Sequence, residues 1–333
     1  MKLRDFLRLS AHIQLLPVLE SGEETLVGGQ AVMEGVMMRA PHSYATAVRR
    51  PDGEVVIDEH PLPKLSEKYP VFRLPVLRGV GTLGQAMVLG IKALRFSADV
   101  AMQAESGGAV KPGEPSGKPG EIPGWLMALN LAFSFVFFIA LYKFLPLWIT
   151  TRLESVYPGL HNQVAFNLVD GLVRLVIFLG FLWLISRWAD IRRVFEYHGA
   201  EHRVVFNFES GKPVSVDNAR AFPTFHPRCG TSFLLVVMMV SIAVYAVIPA
   251  QGFLAKMAVR ILALPLIAGL SYEVIRFAAR RRGSLLALFT APGLWLQRIT
   301  TQPPSDAQTE VAIVALNRAM ALEEKQGGEL VIA

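Results

Sequence analysis

The sequence predicts a mainly α-helical polytopic membrane protein, with about four transmembrane helices and a small β-rich cytosolic unit near the N-terminus. Three observations predict it. Of the 333 residues, 52% are hydrophobic and 18% are charged, where a soluble domain carries about 25% charged residues. The apolar residues are gathered into long runs. Lys and Arg flank those runs, as they do where loops are held on the cytoplasmic side. The formal charge of +6 and the pI near 9.5 therefore point to a membrane topology. A nucleic-acid surface would gather its cations on one face, so no nucleic-acid partner is expected. The expected partners are membrane lipids and a protein docked on the cytosolic regions.

Residues 1–20 place Phe6, Leu7, Leu9, Ile13 and Leu16 mostly on one helical side. This predicts an amphipathic helix, with a loose terminus as the alternative. Arg4, Arg8 and His12 interrupt the pattern, which argues against a secretory signal. Residues 26–78 form the β-rich unit. Tyr44–Arg50 and Glu54–Asp58 are strand-like, and Pro51-Asp52-Gly53 between them signals a hairpin turn. The preceding stretch from Gly28 to Arg39 is rich in Gly and Met. It matches no phosphate-loop pattern, and its methionines read as packing rather than ligands.

Residues 79–102 read as a helix. Lys92 and Arg95 interrupt it, so it is expected to lie along the membrane or re-enter it. Residues 103–123 carry Gly107-Gly108, Pro112-Gly113, Pro115 and Pro119-Gly120, a flexible linker. The region 124–275 holds four apolar runs, at Trp125–Ile149, Leu168–Trp188, Thr231–Ile248 and Leu254–Tyr272. Pro265 is expected to kink the fourth. The connections 150–167 and 249–256 carry one cation each, Arg152 and Lys256. The 189–230 loop and the stretch after the last run carry many, among them Arg192, Arg193, Arg203, Arg276 and Arg280. This asymmetry puts the loop and both termini in the cytoplasm of an inner membrane. Residues 276–333 add a basic stretch and a C-terminal helix. Ser305 and Gln308 form a capping box for it, and Gly327-Gly328 can end it. It is expected to dock on the protein itself.

The candidate site is His198-Gly-Ala-Glu-His202. On a helix the two imidazoles share a face with Glu201 beside them. The pattern matches H-x-x-E-H, where two His bind zinc and the Glu acts as base. Seven His in the chain make a chance pair a real alternative, and Gly199 costs about 1 kcal/mol in a helix interior. His226 and Cys229, at the start of the third run, add an imidazole and a thiol on the same side. The four together would make an N₃S zinc site. The bland alternative is a capping His and a packed Cys. Glu273 lies at the inner end of the fourth run, where a carboxylate marks a site by default; an ordinary ion pair with Arg276 is the alternative. Asp170 and Arg174 read as a structural pair. His12, His42, His60 and His161 have no partner pattern and read as surface residues.

Four motifs together resemble the YqhQ-like family of multi-span membrane proteins with a domain of unknown function. They are Gly28–Arg39, Glu196–His202, Phe225–Phe233 and Ser271–Arg276. The resemblance covers roughly residues 26–320. It implies a membrane protein with a metal-dependent activity and no assigned reaction. It carries over to Glu34, Arg39, His198, Glu201, His202, His226, Cys229 and Glu273.

The resulting expectation is a cytoplasm-facing zinc site held by His198, His202, His226 and Cys229. Glu201, with Glu273 as a second carboxylate, would serve a hydrolase acting on a peptide or lipid-linked substrate. Four protein ligands would close the site and favour a structural metal. A non-enzymatic scaffold or assembly factor is therefore the rival class. A transporter ranks third, because no internal repeat is visible.

Overall fold

A computed structural model describes residues 27–63, 65–105, 124–226, 229–280 and 287–325. The helix expected over 1–20 lies outside these residues. So do most of the 103–123 linker, Pro227, Arg228, Arg281, Arg282 and Gly327-Gly328.

The N-terminal unit is a four-stranded antiparallel meander: β1 (Gly28–Val32), β2 (Gly35–Arg39), β3 (Ser43–Arg49) and β4 (Val55–Pro61). The expected Pro51–Gly53 turn joins β3 to β4, with Gly53 at φ 92°. The glycine- and methionine-rich stretch forms the first hairpin. Glu34 at its tip has φ 53°, a conformation a non-glycine residue seldom takes. Side chains alternate with period two. Val36, Met38, Ala45 and Ala47 face one core. Val32, Met37, Tyr44 and Val48 face another. Met37 and Met38 are thus packing residues.

Both faces are covered by helices from elsewhere in the chain. α1 (Leu77–Glu105) lays Leu89, Ala93 and Val100 on one face. α4 (Ala189–Glu209) and α10 (Asp306–Lys325) cover the other with Tyr197, Ala200, Val204, Ala312, Ala315 and Ala319. The sheet is the middle layer of an α-β-α sandwich, and its core includes residues nearly 300 positions apart. α10 starts as expected. Ser305 N–H donates to Gln308 Oε1 at 2.8 Å, and Gln308 N–H donates back to Ser305 Oγ at 3.3 Å. Its docking partner is the protein itself.

The apolar runs form a helical bundle. α2 runs Gly124–Ile139, widens into a π-helical turn at Ala140–Phe144, and continues over Leu145–Glu154. Pro146, which has no N–H, lies just past the widened turn. α3 (Gln163–Ile185) begins at Asn162, whose Oδ1 accepts from the N–H of Val164 and Ala165. Stretches Ala128–Glu154 and Gln163–Ile185 are long and apolar enough to cross a membrane. α7 (Phe253–Leu262) and α8 (Leu264–Arg280) form a third candidate, bent by 51°. The break falls at Ala263, two residues before Pro265, as the proline predicts. α6 (Gly230–Val247) is apolar but shorter. Two or three helices, rather than four, meet the length and composition of a span. Trp125, Phe133, Phe135 and Phe137 on α2 face outward.

α5 (Val216–Arg220) and α9 (Ala287–Thr300) complete the fold. α9 differs from the basic stretch that the sequence predicts for this region.

Candidate functional site

The centre of the site is α4. It starts after Trp188 and runs unbroken through the expected loop to Glu209. Its helical period puts His198, Glu201 and His202 on one side. Gly199 sits between them because nothing larger fits. A Cβ there would collide with the carbonyl oxygen of Gln302. That segment is tied to α4, since Gln302 N–H donates to Phe195 O at 2.9 Å. The glycine's cost in helix propensity is offset by this close approach.

Three ligand atoms converge, one each from His198, His202 and Cys229, all within 4.8 Å of one another. Cys229 is the N-cap of α6. Its sulfur lies 3.2 Å from His198 Nε2 and 3.2 Å from Thr231 Oγ1. The tautomers follow from the partners. His198 Nδ1 contacts Thr300 O at 2.8 Å, and His202 Nδ1 contacts Thr224 O at 2.5 Å. A carbonyl only accepts, so each Nδ1 carries the proton and each Nε2 keeps its lone pair. This is the outer support that metal-binding histidines use.

The electrostatics follow from burial. Burial lowers the His202 pKa. Burial pushes the Cys229 thiol up, but the neighbouring His202 ring and the donors of Thr231 outweigh it and leave the pKa below the ordinary thiol value. Glu201 is 6% exposed. Its burial, reinforced by Cys229 and opposed by His198 and the Gly29 N–H, raises its pKa to about 7. Its Oε1 accepts from Gly29 N–H at 2.9 Å. Its Oε2 is buried without a hydrogen-bond partner among the described residues. Gly29 permits that contact, since a Cβ there would lie 3.1 Å from Glu201 Cδ and closer still to Met37 O.

The other expected site residues lie elsewhere. His226 is a correction: it stands beside the trio, not in it. Its ring is 5.6 Å from that of His202, it packs on Phe206, and its Nε2 faces Glu209 Oε2 at 3.4 Å. Its backbone is clamped by Gln297 of α9, which accepts at 2.7 Å and donates at 2.8 Å. Burial lowers its pKa to about 4. Glu273 is a second correction. It binds Arg78 of α1 and accepts from Val76 N–H at 3.3 Å, joining α8 to α1 instead of meeting the trio. Arg276 adds charge near it without being its ion-pair partner. Glu34 holds Arg193 of α4 by two contacts of 2.5 Å and the Tyr197 hydroxyl at 3.3 Å. Arg39 is half-buried on β2 within electrostatic reach of Tyr272. His42 is not a lone surface residue either. Its N–H and Nδ1 both meet Glu323 of α10 at 2.8 Å. Sequence reasoning missed Thr224, Gln297 and Thr300, which act through backbone carbonyls or an amide and carry no motif signal.

These features define a mostly helical protein with two or three span-length apolar helices, a small antiparallel sheet and a buried His/His/Cys cluster. The family described as a protein of unknown function (DUF1385) matches residues 74–322, and the chain belongs to that family. Over 302 residues it is 33% identical to the uncharacterized protein YqhQ of Bacillus subtilis strain 168, which covers 89% of this chain and 92% of that one. No solved structure matches.

Proposed function

We propose that the chain is a membrane protein whose His198, His202 and Cys229 hold a divalent metal, zinc by donor type, at the cytoplasmic face. One observation carries the reading: two imidazoles, each with Nδ1 fixed on a carbonyl, aim lone pairs at one thiol within 4.8 Å. An N₂S set suits zinc, and three protein ligands leave a fourth position for water. Removing His226 from the set also removes the objection that the site is closed. Glu201, whose buried Oε2 has no hydrogen-bond partner among the described residues, would be the base for the activated water such a metal supplies. The reaction class is then metal-assisted hydrolysis of a peptide or lipid-linked substrate at the membrane surface.

Metal analysis of the detergent-purified protein tests the reading. About one equivalent of zinc is expected, falling below about 0.2 in the His198→Ala, His202→Ala variant. Less than about 0.2 equivalents of any transition metal in the wild type sinks it.

The second reading is a non-enzymatic scaffold or assembly factor. It is favoured by the number of ties the cluster makes between segments, from α4 to Thr224, Thr300 and Gln302. Glu201→Gln separates the two: a hydrolase loses turnover with metal retained, whereas a scaffold is unaffected. Both termini are proposed to be cytoplasmic, from the loop charges. A reporter fused after Ala333 that is active only outside the cytoplasm would overturn that topology.

A further inference from the structure

The opposite end of the bundle holds a second group of buried polar residues that the metal reading does not use. α3 starts there at Gln163 and α6 ends there at Val247. Twenty-three residues of helix put it about 34 Å from the far end of α3, which leads into α4. A cavity of about 390 Å³ opens between the α2–α3 and α6–α7 connections. His161, Gln251 and Gly252 form its exposed rim. Asn167, Tyr245 and Arg260 form its inner wall.

Behind that wall the charges do not balance. Lys143, Arg174 and Arg260 are 6%, 4% and 2% exposed. All three surround the Tyr245 ring, at 5.7, 5.5 and 5.0 Å from its centroid. Asp170, 1% exposed, is the carboxylate among them. It pairs with Arg174 and lies 3.2 Å from Arg260. Two arginines against one carboxylate leave at least one positive charge in excess, with Lys143 beside them. At the rim Lys256 and Glu154 pair at 3.1 Å and cancel. Burying uncompensated charge costs several kcal/mol per ion.

The donors are also undersatisfied. Arg260 reaches Lys256 O and Asn167 Oδ1 only at 3.3 Å. Its Nε, like that of Arg174, is buried without a hydrogen-bond partner among the described residues. A guanidinium fork of this kind matches the oxygens of a phosphate group. We propose that this cavity is a binding site for a phosphate-type anion, with Arg260 as the direct contact and Lys143 and Arg174 supplying charge from behind. The same chemistry comes from free phosphate or from a phospholipid headgroup.

Full-length protein in neutral detergent tests it in two arms. One titrates inorganic phosphate by calorimetry. The other uses native mass spectrometry after exposure to phosphatidylglycerol or to zwitterionic phosphatidylcholine. Saturable phosphate binding with Kd of about 1 mM or tighter assigns a soluble anion. Selective retention of phosphatidylglycerol alone assigns a headgroup, and either result supports the site. Arg260→Gln and Lys143→Gln are each expected to weaken binding about ten-fold or more. Arg192→Gln, on exposed α4, is expected to leave it unchanged. If Arg260→Gln does not fold, Lys143→Gln carries the test. No binding in either arm, or equal binding in wild type and the folded variants, overturns the proposal.

Discussion

The cluster around His198 and the cluster around Arg260 sit at opposite ends of the fold, and their chemistry is opposite too. Around His198 the outer partners are carbonyls, which accept from the imidazole Nδ1–H groups and leave lone pairs pointing inward. Around Arg260 the groups are guanidinium and ammonium donors crowded about a single aromatic ring. The first arrangement turns acceptors inward, the second donors. The sequence contains both types of residue throughout. What separates them is which backbone or side-chain acceptor each meets. Polarity at a buried site is set by the second layer of contacts as much as by the residues themselves.

Four changes test this contrast, from the largest expected effect to the smallest. Asp170→Ala removes the carboxylate from the cationic group and leaves two arginines without their partner. Breaking a buried pair in this way is expected to cost about 3–5 kcal/mol. Unfolding of the detergent-solubilised protein measures it, and a neutral result would mean that the cations are already compensated.

At the other end, titration gives the sign. Burial raises the Glu201 pKa from 4.5 to about 7. The folded state then keeps its proton longer than the unfolded chain, so stability falls as pH rises through that window. His226 is lowered from 6.5 to about 4. There the unfolded chain takes up the proton first, so stability rises with pH from about 4 to about 6.5. His202, also lowered by burial, adds to the rise. The Glu201 and His226 slopes oppose, so metal-free wild type is expected to rise with pH only by what His202 adds. Glu201→Gln removes the falling slope. Stability of that variant should climb with pH by up to about 3 kcal/mol more than wild type across the window. Parallel curves would contradict the buried, raised carboxyl.

Gly199→Ala places a methyl against the carbonyl oxygen of Gln302. A backbone shift costing about 2 kcal/mol is expected. It also displaces the segment that carries Thr300, so zinc content should fall with stability. Full metal occupancy in a destabilised variant would show that the Thr300 contact is dispensable. The smallest effect is at Glu34. Its pair with Arg193 is half-exposed, so Glu34→Ala should cost at most about 1 kcal/mol by thermal unfolding. A larger loss would mean that the hairpin tip supports the site directly.

Legibility from sequence followed the range of the interaction. His198, Glu201 and His202 were found together because one helix carries them at i, i+3 and i+4. The capping box at Ser305 and the break near Pro265 are local in the same sense. Asp170 and Arg174, four apart on α3, were paired correctly. Their further partners, Arg260 and Lys143, come from other helices and have no pattern that links them. His226 failed for a related reason. Its spacing of three from Cys229, at the start of the third apolar run, points to a ligand, but Gln297, 71 residues further on, clamps its backbone and Phe206 packs on its ring. Glu273 was given its i+3 neighbour and instead found Arg78 across the bundle. His42 reads as a surface residue in the sequence because Glu323, 281 residues later, leaves no mark near it. Helix-period signals were readable; contacts set by long-range packing were not.

The tie between His198 Nδ1 and Thr300 O has a consequence for the order of events during synthesis. The residues of the site emerge from the ribosome as Gly29, then His198 to His202, then Cys229, then Thr300. Domains fold as their segments appear, yet His198 gains its orienting carbonyl only when about nine-tenths of the chain has been made. The trio therefore cannot be set before α9 has packed against α6. Any metal held by the trio would, on this geometry, be loaded late, once most of the fold is complete.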